Sequence, residues 1–298
     1  MGMTVGDGRM EAFRSEVGDS GAVCVRGGAT RWGVGGGSAG AREVSAPVGI
    51  MALEPAEMTV MVGAGTTLTE LAGELAVHGL EVGMDGPQGS TVGGALAVGR
   101  SALRRRRVGQ IADVLLQADC VGADGVAFTA GGPTVKNVTG YDLCRLLVGS
   151  LGTLALVGRV ILRTRPVPVC SVWLAGEVEP DLVLEATYRP ASVLWDGAQT
   201  SVLLEGHGAD VDQMVETLGR LGLAAAEPPV LAPGRGRWSG LLPDDGVLEV
   251  GAGVVHQPDD SGPPIVSEGV LNLAARMRAS FDPSGRLNPG RDPYSRAA

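Results

Sequence analysis

Residues 87–99 read PQGSTVGGALAVG, a glycine-rich loop that runs into a segment of small residues able to form a short helix. Two further glycine clusters have the same character, RGGATRWGVGG at residues 26–36 and VKNVTGYDLCRLLVGSLGTLALV at residues 135–157. In each cluster, consecutive small residues adjoin a threonine or serine. Because glycine has no Cβ, the peptide N–H groups of such loops can converge on phosphate oxygens, and a hydroxyl adds a further donor. One such loop is usually an ordinary turn, but three in one region favour a pyrophosphate site.

The clusters match neither of the two common phosphate-binding motifs. The sequence GxxxxGK[ST] is absent, and none of the clusters is a GxGxxG that joins a strand directly to a long helix. We therefore expect a phosphate cradle of another kind.

Short strands, helices and a hairpin are expected around these loops. Thr67 and Glu70 form a capping box ahead of three leucines at helical spacing, and Gly79 ends that helix. Strands are expected at residues 21–26, 58–62 and 153–165, a short helix at residues 141–148, and a hairpin at residues 113–130 around an Ala-Asp-Gly turn.

The composition changes after Pro168, where pairs of adjacent glycines become fewer. Its order of expected elements is then βαββαβ, which is typical of a ferredoxin-like split unit, with the last strand at residues 247–254. A Pro/Gly-rich loop at residues 228–236 interrupts this unit, and a helix at residues 265–280 leads into a polar tail. The chain is thus predicted to be α+β, with domains at residues 1–168 and 169–280 and a C-terminal tail at residues 281–298.

Composition excludes several classes of function. The chain of 298 residues is 44% hydrophobic and 19% charged, and it has neither a long apolar run for a membrane span nor a hydrophobic signal core, so we expect a soluble cytoplasmic protein. The net charge of −9 argues against a nucleic-acid partner. The four cysteines form no CxxC pair and the three histidines form no close pair, so we predict no metal site and no iron–sulfur cluster in this chain.

Five motifs in a fixed order resemble a known family. RGGAT, an AGTTLTEL helix, PQGSTVGGALAVGRS, KNVTGYDLCRLLVGSLGTLALV and FDPSGRLNPGR follow one another as in FAD-binding proteins of the vanillyl-alcohol oxidase/p-cresol methylhydroxylase (PCMH) type. Within that type the chain looks most like the FAD-binding subunits of glycolate oxidase. The resemblance covers about residues 10–168 and the tail, and it is weak across residues 169–280. It implies a two-subdomain PCMH-type FAD-binding domain followed by a small ferredoxin-like α/β cap domain.

The resemblance also implies where FAD would lie. In such proteins the first loop wraps the pyrophosphate, the second runs along the pyrophosphate and the flavin, and the GSxGTLxxV segment lies by the adenosine half. The tail motif LNPG returns to the FAD domain. The residues nominated in this way are Arg26, Gly27, Gly28, Ala29 and Thr30, then Pro87, Gln88, Gly89, Ser90, Thr91, Gly93 and Gly94, then Gly149, Ser150, Gly152, Thr153 and Val157, and finally Asn288.

Two departures from the family pattern are informative. Relatives that tether the flavin often do so through a histidine in the first loop, but this loop holds Trp32, so we predict non-covalent FAD. Relatives of the larger-subunit type carry an HxGDGN-like metal-binding motif in the cap, whereas this chain offers His256 in GVVHQPDD.

The catalytic residues are unknown from the sequence, and there are two weak candidates. Lys136, the only lysine, could stabilise an anionic reduced flavin or be a solvated loop residue. His256 could contact the flavin edge or the substrate, or be an ordinary histidine on the cap surface. The run RRRR at residues 104–107 could be a solvated loop, or a docking patch for an acidic partner or a carboxylate substrate.

The expected function is that of an FAD-binding subunit of a glycolate or other 2-hydroxy acid oxidase (dehydrogenase) complex. Its flavin would take a hydride from a small 2-hydroxy acid. The expected partners are a larger flavoprotein subunit and an iron–sulfur subunit, through which the complex could lie at the inner membrane. Two alternatives stay open: a subunit that binds FAD only for structure or electron relay, and an independent FAD-dependent alcohol oxidoreductase.

Overall fold

The computed structural model describes residues 8–38, 40–132, 142–259 and 266–294. Helices and strands are mixed along the chain, in agreement with the predicted α+β class. In chain order they are α1 (Gly8–Val17), β1 (Val23–Val25), β2 (Arg42–Val44), β3 (Ile50–Glu54), β4 (Thr59–Gly63), α2 (Leu68–Ala76), β5 (Leu80–Val82), α3 (Val92–Val98), α4 (Arg105–Val108), α5 (Ile111–Val114), β6 (Leu115–Val121), β7 (Ala127–Gly131), α6 (Leu143–Leu147), β8 (Leu156–Pro166), β9 (Cys170–Gly176), α7 (Pro180–Ala186), β10 (Ser192–Trp195), β11 (Thr200–Gly206), α8 (Gly208–Arg220), β12 (Ala224–Ala225), β13 (Gly234–Arg237), β14 (Val247–Glu249), β15 (Val254–Gln257) and α9 (Glu268–Phe281).

Two compact units divide the chain. The first consists of Met1–Ala102, Gln110–Arg165 and Ile265–Ala298, and the second consists of Leu103–Gly109 and Pro166–Pro264. Within the described residues, no helix has both the length and the apolar composition needed to cross a bilayer.

This division differs from the predicted domains at two points. Helix α9 belongs to the first unit, because Phe281 packs against its core and Arg278 Nη1 donates to the carbonyl of Arg291 at 2.9 Å. Residues 103–109 join the second unit although residues on both sides belong to the first.

The first unit contains a sheet with the strand order β3-β4-β8-β6-β7, in which β5 also pairs with β8. Its apolar face packs against α2, whose Leu71 and Leu75 are fully buried. The predicted capping box of α2 is confirmed: the Glu70 amide donates to Thr67 Oγ1 at 3.1 Å, and the Thr67 amide donates to Glu70 Oε2 at 3.0 Å. The predicted hairpin is confirmed as the antiparallel pair β6 and β7.

A separate small sheet joins both ends of the first unit. Strand β1 pairs in parallel with β2, and Leu287 of the tail forms a parallel bridge to Val23 on β1. The Val23 amide donates to the carbonyl of Arg286 at 2.9 Å, and the Asn288 amide donates to the carbonyl of Val23 at 2.8 Å. The tail is therefore hydrogen-bonded to the strand that leads into the first glycine loop.

The second unit is built on an antiparallel sheet with the strand order β12-β9-β11-β10-β14-β15-β13. The predicted strand at residues 247–254 is wrong, because Gly251 and Gly253 adopt positive φ angles of 73° and 66° and divide the segment into β14 and β15. Part of the predicted loop at residues 228–236 belongs to β13, which pairs with β15. The fourth strand of the split unit is β12, which pairs with β9 on the side away from β11. It has only two residues and no alternation of apolar residues, so the sequence does not predict it.

The arginine run at residues 104–107 binds glutamates of the second unit, so the solvated-loop interpretation is wrong, and the docking patch stays a prediction. Arg104 Nε pairs with Glu205 at 2.8 Å, and Arg105 Nη2 pairs with Glu249 at 2.7 Å. The two glutamate side chains are only 4% and 3% exposed. The other two arginines donate to backbone carbonyls of the same unit. Residues 103–109 belong to the second unit because their arginines neutralise carboxylates that are buried in it.

Candidate functional site

A cavity of about 380 Å³ lies within the first unit, and all three glycine clusters and the tail contribute to its wall. Four nominated residues are not part of this wall, namely Pro87, Gln88, Gly149 and Thr153. The nominated residues that do line it are Arg26, Gly27, Gly28, Ala29, Thr30, Gly89, Ser90, Thr91, Gly93, Gly94, Ser150, Gly152, Val157 and Asn288.

The first and second loops touch each other at the cavity. The hydroxyls of Thr30 and Ser90 are 2.8 Å apart, within hydrogen-bond distance. A Cβ on Gly28 would overlap the carbonyl group of Gly89, and its distance to the carbonyl carbon would be 2.9 Å. Glycine is therefore required at position 28 for the two backbones to approach this closely.

The third cluster and the tail complete the wall. The amide of Gly149 donates to the carbonyl of Leu96 on α3 at 2.9 Å, which joins the third cluster to the helix that follows the second loop. Asn288 Nδ2 donates to the carbonyl of Gly152 at 2.9 Å, which joins the tail to the third cluster. Asn288 is 4% exposed and has a φ of 45°, so the tail turns sharply at this contact.

The cavity wall fits a dinucleotide that carries phosphates and rings. Within the described part of the chain, the amide groups of Gly27, Gly28, Ala29 and Thr30 donate to no protein acceptor. Ala29 has a φ of 54°, and a left-handed residue in a turn can direct neighbouring N–H groups to one side, where an anion can accept from them. Apolar side chains suited to ring systems form another part of the wall, namely Leu96, Leu115, Leu147 and Leu156.

Two further residues of the wall, Trp32 and Arg291, were not among those nominated to bind FAD. The guanidinium of Arg291 lies 4.1 Å from the centroid of the Trp32 ring, and that of Arg26 lies 5.2 Å from the same centroid. The tail motif FDPSGRLNPGR contains Arg291 and was the signal that could have identified it. The leucines of the wall lie on separate elements with no common motif.

The two weak catalytic candidates have different outcomes. Lys136 lies outside the described residues. His256 is on β15 of the second unit and is 5% exposed, so the interpretation as a surface histidine is wrong. Its Nε2 atom lies 2.7 Å from Glu249 Oε1. A contact of His256 with the flavin edge stays a prediction.

The buried carboxylate of Glu249 is held ionised by its neighbours. Burial alone would raise the pKa of Glu249, but the hydrogen bond with His256 and the charges of Arg105 and Arg235 outweigh burial and lower the pKa below the usual 4.5. The arrangement of one carboxylate among two guanidinium groups and an imidazole stabilises charge inside the second unit.

Comparison with known proteins agrees with the geometry of the cavity. Residues 18–131 match the family described as FAD binding domain. The glycolate oxidase subunit GlcE of Escherichia coli is 26% identical, over 82% of this chain and 84% of that protein. A D-lactate dehydrogenase of Archaeoglobus fulgidus is 39% identical over 105 residues, which are 35% of this chain and 24% of that protein. This chain thus matches about a quarter of that relative's length.

A solved structure shares the fold. An alkyldihydroxyacetonephosphate synthase superposes with a TM-score of 0.65 at 14% identity, over 95% of this chain and 74% of that chain. The residues matched by the family model include the first two loops that line the cavity. Residues 18–131 therefore match the FAD binding domain family, and FAD is the cofactor.

Proposed function

We propose that this chain is the FAD-binding subunit of a complex that oxidises glycolate or another small 2-hydroxy acid in the cytoplasm. The cavity formed by the glycine clusters and the tail carries the cofactor part of the proposal. The similarity to GlcE supports the substrate class and the role as a subunit, because it runs through most of both chains. A composition of 44% hydrophobic and 19% charged residues supports the proposed location in the cytoplasm.

The residues of the wall would bind and orient FAD, which supplies the capacity to accept a hydride from an alcohol carbon. The free amides at residues 27–30 would donate to the pyrophosphate, and a loop amide is worth most when the acceptor is charged. The bond between Thr30 and Ser90 holds the first two loops together at this point. Trp32 in the first loop offers no nucleophile for a covalent tether, which supports non-covalent binding.

The domain architecture we propose is a PCMH-type domain of two subdomains with a ferredoxin-like cap. Two apolar clusters support the subdomains, one under the larger sheet and one around β1 and β2. The strand order β12-β9-β11-β10, with α7 and α8 in the two crossover connections, supports the ferredoxin-like split unit. Strands β14, β15 and β13 extend that unit at one edge.

The partners we propose are a larger flavoprotein subunit and an iron–sulfur subunit. A relative whose name describes it as a subunit supports the existence of partners. The iron–sulfur subunit is inferred because the far-apart cysteines of this chain, three of them buried, are unsuited to ligate a cluster. Such a carrier would take electrons from the reduced flavin one at a time.

A second candidate function is an electron-relay or structural flavoprotein subunit without its own substrate chemistry. The polar side chains of the described cavity wall are guanidinium, hydroxyl and amide groups, which bind and orient a nucleotide. Abstraction of a proton from a hydroxyl requires a group that accepts protons near neutral pH. This composition favours chemistry in a partner.

Anaerobic reduction of the bound flavin separates the two functions. The purified chain is mixed with glycolate, D-lactate or, as a control without a hydroxyl group, acetate, and bleaching of the flavin absorbance is followed by stopped flow. Rapid bleaching by a 2-hydroxy acid supports a catalytic subunit. Bleaching only after addition of the larger flavoprotein subunit supports the relay function. A chain that stays oxidised in the reconstituted complex would contradict both.

A further inference from the structure

Arg291 is a buried arginine that connects the C-terminal tail to the first cofactor loop. The residue is 6% exposed. Its guanidinium donates to the carbonyl of Trp32 at 2.9 Å, to the carbonyl of Val34 at 3.3 Å and to Ser38 Oγ at 3.0 Å. These acceptors lie along residues 32–38, so one side chain fixes the path of the second half of the loop.

The same guanidinium stacks on an aromatic ring in the cavity wall. Arg291 lies 4.1 Å from the centroid of Trp32, and both residues line the cavity. Arg26, at the start of the loop, lies 5.2 Å from that centroid and also pairs with Glu43 at 2.9 Å. The indole thus ties the beginning of the loop to the tail through two cation–π contacts.

Backbone contacts between the tail and the loop are equally close. The amide of Asp292 donates to the carbonyl of Gly35 at 2.8 Å. A Cβ on Gly36 would approach the carbonyl oxygen of Gly290 to 2.8 Å, and a Cβ on Gly290 would approach that of Gly37 to 2.5 Å. Because these approaches leave no room for a side chain, the tail and the loop are packed backbone against backbone in this conformation.

We propose that Arg291 is a positioning residue for the cofactor and that docking of residues 286–292 is thermodynamically linked to FAD binding. The loop held by the tail at residues 32–38 is continuous with the free amides at residues 27–30. The same loop conformation therefore suits both the tail and the pyrophosphate. Docking of the tail should strengthen FAD binding, and FAD binding should strengthen docking of the tail. The inference rests on the FAD site of the proposed function and is independent of the substrate.

Arginine is required for this role by its geometry. A guanidinium is planar and presents several N–H donors in a rigid fork, so it can stack on Trp32 while it donates to three acceptors. A lysine at position 291 would keep the charge but could neither stack as a plane nor reach the spread acceptors. The lysine variant therefore distinguishes positioning from simple attraction of the anionic pyrophosphate.

The test measures the dissociation constant of FAD for the apoprotein by quenching of tryptophan and flavin fluorescence. The variants are Arg291→Ala, Arg291→Lys, Trp32→Ala and the double variant of Trp32→Ala with Arg291→Ala. Arg14→Ala is the matched control, because Arg14 is a half-exposed arginine of the same unit and its guanidinium pairs, among the described residues, with Glu11 on the same helix. We expect both Arg291 variants to bind FAD about tenfold more weakly or worse, since charge-assisted hydrogen bonds of this kind are lost.

Two further readouts separate linkage from a merely structural role. The double variant should bind FAD more tightly than the product of the two single losses predicts, because the two residues act on one contact. FAD should slow amide hydrogen exchange of residues 286–292 in the wild type and in Arg14→Ala, but much less in Arg291→Ala. Circular dichroism checks that each variant is folded, and Trp32→Ala carries the exchange test if Arg291→Ala is unfolded.

The outcomes that would overturn the inference are distinct from those that concern the substrate. An unchanged dissociation constant in Arg291→Ala with only a lower melting temperature means that the residue is structural. Full recovery of affinity in Arg291→Lys means that charge alone matters. A wild type that takes up no FAD overturns this inference and the proposed function together. A wild type that binds FAD but is inert to 2-hydroxy acids in its complex contradicts only the proposed function.

Discussion

The contact between the first two cofactor loops predicts that Gly28→Ala weakens FAD binding without unfolding the chain. The added Cβ would overlap the carbonyl group of Gly89 and lie 2.9 Å from its carbon, where Cβ atoms are essentially never found. Both partners are backbone, so no side-chain rotation relieves the overlap. The two loops must separate by about 1 Å or more to restore ordinary contact distances.

The size of the effect follows from what that separation breaks. The amides at residues 27–30 have no other protein acceptor within the described chain, so a phosphate is the partner they would lose. Loss of one hydrogen bond to a charged group costs about 1.5–3 kcal/mol, which corresponds to about a tenfold to hundredfold higher dissociation constant. The loops are at the protein surface, so we expect the apoprotein to keep most of its stability.

Isothermal titration of the apoprotein with FAD measures this effect. The matched control is Gly37→Ala in the same loop, because a Cβ there meets nothing within 4 Å. The control should bind FAD as the wild type does. A Gly28→Ala protein with unchanged affinity would refute the claim that contact between these loops sets the shape of the phosphate site, and an equal loss in both variants would point to general loop flexibility instead.

Three further predictions concern the buried polar groups and the thiols. Glu249→Gln should cost about 3 kcal/mol near neutral pH, because it leaves the partly buried guanidinium groups of Arg105 and Arg235 without their carboxylate. Since the pKa of Glu249 is lowered in the folded state, the stability that its carboxylate contributes is present above the usual value of 4.5 and is lost as the pH falls through the folded-state pKa. The melting temperatures of wild type and variant should therefore converge in acid, and a difference that stays constant with pH would contradict this. Asp282→Asn should cost about 1–3 kcal/mol in urea unfolding, because the buried carboxylate accepts from two tail amides through different oxygens, and wild-type stability would contradict the role of the tail. Burial raises the pKa of the Cys144 thiol to about 11, so iodoacetamide at mildly alkaline pH should label the partly exposed Cys170 first, as mapped by mass spectrometry, and prior labelling of Cys144 would contradict its burial.

The elements that could be predicted from the sequence are those whose signals are local. Thr67 and Glu70 are three residues apart, and the helix they cap begins where the capping box indicates. The hairpin of β6 and β7 follows from an Asp-Gly turn between two apolar runs, and Gly125 adopts a φ of 73° there. Interactions within a few residues leave their full pattern in the sequence.

Interactions between distant residues could not be predicted in this way. The arginines at residues 104–107 have the appearance of a solvated run, but Glu205 and Glu249 become their partners only when strands β11 and β14 are placed in one sheet. Arg291 donates to residues more than two hundred and fifty positions earlier in the chain. Of the tail, the sequence nominated Asn288 as a cofactor residue but not Arg291. The wall of the cavity is built largely from such distant contacts.

The glycine clusters show why a correct location can rest on an incomplete physical reason. Sequence reasoning treats the missing Cβ atoms as room for a phosphate to approach the backbone. In the structure, a Cβ on Gly28 would meet the second loop and a Cβ on Gly36 would meet the tail, so these glycines are needed where two segments of the protein touch each other. The shape of the first loop is then fixed by the segments around it, and no single cluster could hold its amides in place alone. This explains why one glycine-rich loop is weak evidence for a nucleotide site, whereas several loops whose glycines face one another are strong evidence.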